Sequence, residues 1–185
     1  KFISVGLLGM ADMAILAMAL SVSIPIQLAI VAVEKAFTPT ILKNMSIDDD
    51  QSLIKKISQP LMILISTNIV LSLLCFILVF FLGPYFIDEK YSDSFSLIHW
   101  LIIGIFMQSV NSNIMTLYAK LRKGTLLSKL ATIHLLNHLV ISVVFIYIFG
   151  IVGAAIGYMV SYTLAAVING IFISSDLLRV NSNAV

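Results

Sequence analysis

The chain has 185 residues, of which 60% are hydrophobic and 11% charged, with a mean hydropathy of +1.08 and a formal net charge of +2. A soluble domain carries about 25% charged residues, so too little polar surface is present to cover a globule in water. The composition excludes an ordinary soluble domain and indicates an integral membrane protein.

Crossing a bilayer as a helix takes about 20 apolar residues. Five stretches have that length, at about 12–36, 60–82, 97–118, 130–149 and 153–174. A shorter stretch, 2–8, reads as part of a sixth helix. The chain opens KFISVGLLG, with neither an initiator Met nor a basic signal-like region, and that opening is expected to continue a longer chain. The runs are apolar all round, unlike the alternating segments of about 10 residues in a membrane β-barrel. The expected fold is an all-α integral membrane bundle of five complete transmembrane helices plus one partial.

Within the first complete helix, Pro25 removes one backbone donor and predicts a kink. The connection 43–59 reads as a short amphipathic helix at the membrane surface. Asp48, Asp49 and Asp50 stand at its N-terminal end and Lys55 and Lys56 near its C-terminal end, as the helix dipole favours. Consecutive residues of a helix point in different directions, so the aspartates read as capping and solvation rather than as a metal site.

Basic residues alternate between connections. Lys35, Lys43, Lys55 and Lys56 surround the first, Lys90 stands alone in the second, and Lys120, Arg122, Lys123 and Lys129 surround the third. The turn around Gly150 has none, and Arg179 lies in the tail. The positive-inside rule then places the first and third connections and the C-terminus in the cytoplasm.

Asp12, Glu34 and the other acids are expected at helix ends or in loops, which argues against a proton or sodium site built on carboxylates. Three polar groupings remain. Gln108, Asn111 and Ser112 are spaced to share one helical face, with Asn113 beside them. They serve either hydrogen bonding to a neighbouring helix, worth about 0.6 to 2 kcal/mol each, or the lining of a wet cavity. His134, Asn137 and His138 repeat that spacing, with the same two readings. They lack both the Glu of an H-E-x-x-H motif and an evident third metal ligand. Lys1 is the third: if Gly9 marks an outer helix end, Lys1 lies about 12 Å deeper. A lysine at that depth faces a water-filled anion pathway or snorkels from the chain end.

Neither a metal site nor a cofactor is expected, and Cys75 alone forms no disulfide within the chain. Walker A and GxSxG motifs are missing, so the chain reads as a non-enzyme. The stretch GIVGAAIG, beginning at Gly150, lacks the strand before it and the Lys-Ser/Thr after it that a phosphate loop requires. Gly153, Gly157, Ser161, Ala165 and Asn169 instead recur every four residues, a stripe of mostly small side chains that admits a second helix closely.

Several stretches, in order along almost the whole chain, resemble a known family. KFISVGLLGMADMAILAMALSV, with Lys1, Phe2, Leu8 and Gly9, resembles the seventh-to-eighth-helix segment of polysaccharide flippases of the multidrug/oligosaccharidyl-lipid/polysaccharide exporter superfamily. AVEKAFTPTILKNM, with Phe37, Pro39 and Lys43, is similar to that family's segment leaving the eighth helix. FFLGPYFIDEKYSDSFSLIHWLIIG resembles its loop between helices nine and ten, and NHLVISVVFIYIFGIVGAAIGYMVS its last two helices. Family members often carry a second Asn one turn after the first and a Pro-basic pair before the glycine. Ser142, Tyr147 and Ile148 stand near those positions here.

The resemblance implies the C-terminal lobe of a flippase that moves undecaprenyl-pyrophosphate-linked oligosaccharide units across the bacterial cytoplasmic membrane by alternating access. Its expected partners are that lipid-linked substrate, membrane lipids and a preceding N-terminal lobe, with no nucleic acid. It also makes Lys1 the candidate to meet the pyrophosphate, with Gln108, Asn111 and Asn137 as possible cavity contacts. Competing readings are a drug/cation antiporter of the same superfamily, which would favour cavity carboxylates, a structural or assembly subunit that transports nothing, and a membrane enzyme acting on polyprenyl phosphate.

Overall fold

Long runs of Leu, Ile, Val, Met and Ala leave the backbone no better partner than itself, and in hydrocarbon every N–H and C=O must be paired internally. The computed structural model describes residues 9–44, 53–120 and 124–182, and these are helical almost throughout. Four helices follow in order: α1 Met10–Asn44, α2 Leu53–Phe86, α3 Ser94–Lys120 and α4 Gly124–Ser182. A 3-10 turn, Glu89–Tyr91, lies between α2 and α3; Asp88 caps it by accepting from the Lys90 backbone N–H at 3.1 Å. Among the described residues there is no strand, and four helices are long and apolar enough to cross a membrane.

The described residues form four helical elements where five complete helices were expected, because the fourth holds two helices joined across a kink. The stretches 130–149 and 153–174 fall within one 59-residue element, α4, whose helical pattern resumes at once after a single residue. That residue is Gly150, with φ 59° and ψ −136°, a conformation open almost only to glycine. Pairings across it show that α4 folds back on itself: Phe145 lies against Gly153, Ser142 against Gly157 and His138 against Ser161. The partial helix at 2–8 lies outside the described residues.

The other boundaries extend beyond the apolar runs. α1 continues past Ala36 to Asn44 and stays helical through both Pro25 and Pro39. Ser21 and Ser23 donate back to the carbonyls of Ala17 and Ala19, each at 2.8 Å. Of the expected amphipathic segment 43–59, residues 45–52 lie outside the described residues, and 53–59 continue directly into α2 instead of forming a separate element.

α3 is the central helix and packs on α1, α2 and α4. It runs with α1, antiparallel to α2, and alongside the second limb of α4. Its first half supplies the apolar core: Leu97, Ile98, Leu101 and Ile102 meet Leu16 and Ala19 of α1, Val79 of α2 and Ala155 of α4. Its second half is polar, which gives it the lowest mean hydropathy of the four, 1.3 against 2.2 to 2.7. Ser109, Asn111 and Asn113 of that half are buried, as is Asn68 of α2, while large apolar side chains face outward: Val70 and Phe81 of α2 are each 66% exposed. Exposed apolar area on this scale fits a hydrocarbon solvent, where association depends on close packing and interhelical hydrogen bonds.

Candidate functional site

A cleft of about 580 Å³ separates α1 from the α4 hairpin, within the range of small-molecule sites. Met13, Leu16, Leu20 and Ile24 line it from α1, and Leu135, Leu139 and Ile146 from α4. Four polar side chains interrupt this apolar wall: Ser21 of α1 and His138, Ser142 and Tyr158 of α4. Behind Ser142 the second limb comes close at Gly157, where a Cβ would lie 3.3 Å from the Ser142 Cα.

The polar wall is held from behind. The Tyr158 hydroxyl donates to Gln108 Oε1 of α3, and Gln27 Nε2 of α1 donates to the same oxygen at 2.8 Å. One amide thus joins three helices. Gly104, one turn before Gln108, makes room for the Tyr158 ring, since a Cβ there would fall 2.3 Å from its Cδ1. His138 Nδ1 lies 2.6 Å from Ser161 Oγ, and Ser161 donates to the Tyr158 carbonyl at 2.9 Å. His134 and Tyr162 extend the group, with ring centroids 4.8 Å apart, and Tyr158 and Tyr162 lie 4.9 Å apart.

A second polar centre lies between α1, α2 and α3. Glu34 is only 7% exposed, and its Oε1 accepts from Asn68 Nδ2 at 2.9 Å, from Asn113 Nδ2 at 2.8 Å and from the Ser109 hydroxyl. Asn68 Nδ2 also donates to Ser109 Oγ. This corrects the expectation that every acid stands at a helix end or in a loop. Lys35, Thr38 and Pro39 made the apolar run appear to stop at Ala36, but ten more helical residues follow Glu34. The available signal was Asn68, the one amide in the run 60–82, together with Ser109 and Asn113 four residues apart.

The expected site residues fall in different places. Gln108 is a three-helix bridge behind the cleft, and Asn111 Oδ1 accepts from Asn169 Nδ2 at 2.6 Å, tying α3 to α4. Asn137 is half-buried, with its Nδ2 enclosed and without a hydrogen-bond partner among the described residues. None of these three lines the cleft. Ser112, expected on the face of Gln108 and Asn111, is exposed, while Ser109 and Asn113 turn inward on the side facing Glu34. Gly153, Gly157, Ser161, Ala165 and Asn169 are all buried. Lys1 lies outside the described residues. No group of three His, Cys, Asp or Glu side chains suited to a metal occurs among the described residues.

The geometry thus defines, among the described residues, a bundle of candidate membrane-spanning helices with a mostly apolar cleft carrying four polar side chains and a buried carboxylate centre. No protein-family model, curated protein or solved structure matches the chain.

Proposed function

We propose that the chain is the transmembrane lobe of a transporter that passes undecaprenyl-pyrophosphate-linked oligosaccharide units across a bacterial cytoplasmic membrane by alternating access. The supporting observation is the cleft between α1 and the α4 hairpin, whose apolar wall carries Ser21, His138, Ser142 and Tyr158. Apolar lining suits a polyprenyl chain, and a few convergent polar groups orient a headgroup. The ordered resemblance to polysaccharide flippases supplies the substrate class, makes Lys1 the residue to meet the pyrophosphate, and assigns a preceding lobe as the other half of the pathway.

Complementation tests this reading. The full-length gene should restore surface polysaccharide to a strain lacking its own oligosaccharide-unit flippase. Failure with every repeat unit tried would refute it. Lys1→Ala with undiminished export would remove Lys1 from the pathway.

The buried Glu34 favours a second reading, a drug/cation antiporter of the same superfamily, because such transporters use carboxylates inside the bundle. Under it, expression of the gene lowers the accumulation of cationic dyes and leaves surface polysaccharide unchanged.

A further inference from the structure

α1 and the α4 hairpin form the two walls of the cleft, yet each packs far more on α3 than on the other. The width of the cleft is therefore set by how each wall is fastened to α3. Its two ends are fastened differently. Toward Met13 and Ile146 the fastening is apolar: Leu16 and Ala19 of α1 and Ala155 of α4 pack with Leu97, Ile98 and Leu101 of α3. Toward Ile24 and Leu135 both walls are hydrogen-bonded to one side chain of α3, Gln108. Its carboxamide holds Gln27, three residues beyond Ile24 on α1, and Tyr158 on the second limb of α4.

Apolar packing resists separation through many atoms at once. An interhelical hydrogen bond is a single contact, and a weak one in a membrane, because its partners find others when it breaks. Turning the carboxamides of Gln108 and Gln27 together reverses the direction of both bonds and keeps them. The tie therefore does not depend on which atom of each amide is the oxygen. The Tyr158 ring is seated separately, in the space left by Gly104, and its hydroxyl alone bonds to Gln108. Of the three residues, Tyr158 is the one that lines the cleft, so the contents of the cleft reach the tie through that hydroxyl.

We infer that the Gln27–Gln108–Tyr158 bridge is a latch: it keeps the Ile24–Leu135 end of the cleft narrow, and its release widens that end while the Met13–Ile146 end stays packed. The latch gives the cleft an entrance at one end only. It rests on these bonds and not on what the lobe carries. Failed complementation leaves it standing, and an unmoved cleft leaves the proposed transport standing.

Pulsed electron paramagnetic resonance on the full chain in lipid nanodiscs tests this, with spin labels on paired cysteines in a Cys75→Ser background. Ile24→Cys with Leu135→Cys reads the latched end, and Ala17→Cys with Ser142→Cys reads toward the packed end; all four positions line the cleft. Tyr158→Phe should raise the population of longer Ile24–Leu135 separations about three- to twentyfold, the factor one interhelical bond contributes. The Ala17–Ser142 separations should not change. Gln108→Leu frees both walls and should raise the longer population at least as far. Asn111→Leu breaks a separate bond from α3 to the second limb, that with Asn169, and should widen neither pair. Should Gln108→Leu fail to fold, Tyr158→Phe decides alone, since it removes one oxygen and keeps the ring in its seat. Unchanged Ile24–Leu135 separations in Tyr158→Phe would overturn the proposal, as would equal widening of both pairs or the same widening in Asn111→Leu.

Discussion

The backbone carbonyl oxygen of Phe145 stands where a side chain on residue 153 would begin: a Cβ on Gly153 would lie 1.9 Å from it. The two limbs of α4 therefore meet backbone to backbone beside the Gly150 turn, and everything the second limb presents to the cleft and to α3 depends on that contact. At Gly157 the approach is less close, with a virtual Cβ 3.2 Å from Phe145 Cβ and 3.3 Å from Ser142 Cα.

Those distances rank two substitutions. Gly153→Ala requires backbone movement and should destabilise the folded chain by about 3 kcal/mol, whereas Gly157→Ala, accommodated by a small shift, should cost about 1 kcal/mol. Thermal unfolding in a mild detergent gives the order, and equal stability of the two variants would contradict this account of the hairpin.

Gly150→Ala separates conformational strain from crowding. Nothing lies within 4 Å of a Cβ at this position, so the cost arises from φ 59° alone. It should be about 2 kcal/mol, and thermal unfolding at the wild-type temperature would contradict this account of the turn.

The amide bridge behind the cleft is measurable by a double-mutant cycle. Tyr158→Phe and Gln108→Leu each remove the bond between these residues, and their coupling should be about 0.6 to 1.7 kcal/mol, the scale of interhelical bonds in membranes. Gln27→Leu should couple to Gln108→Leu but little to Tyr158→Phe, because Gln27 and Tyr158 each bond to Gln108 Oε1 rather than to one another.

Cys75, the single cysteine, gives a clean background for probing the cleft. On a Cys75→Ser chain in liposomes, Ser142→Cys should react readily with a polar maleimide, because Ser142 lies on the cleft wall. Val70→Cys, on the outward face of α2 and 66% exposed, should react far more slowly if that face meets lipid. Comparable rates would mean that the cleft is no wetter than the outer surface.

The glycine and small-residue stripe was legible from spacing, because helix-on-helix packing demands the same side chains wherever it occurs. Gly153 and Gly157 stand out without knowledge of what faces them. Gln108 and Asn111 were legible as unusual, but their use was not. Whether an amide lines a cavity or ties two helices depends on what the neighbouring helix presents, and that neighbour is 50 residues away for Tyr158 and 58 for Asn169.

Composition and apolar run length alone determined that the chain is helical and too apolar for water, since hydrocarbon admits few ways to satisfy a backbone. Single glycines and four-residue spacing determined where helices could touch. The tertiary structure added that the turn between two of the predicted helices occupies a single residue, Gly150. It alone placed Glu34 inside the bundle, for the polar residues that seemed to end its helix are tolerated within it. The convergence of Asn68, Ser109 and Asn113 on one carboxylate, over sequence separations of 34 to 79 residues, follows from how α1, α2 and α3 pack. No local pattern encodes it.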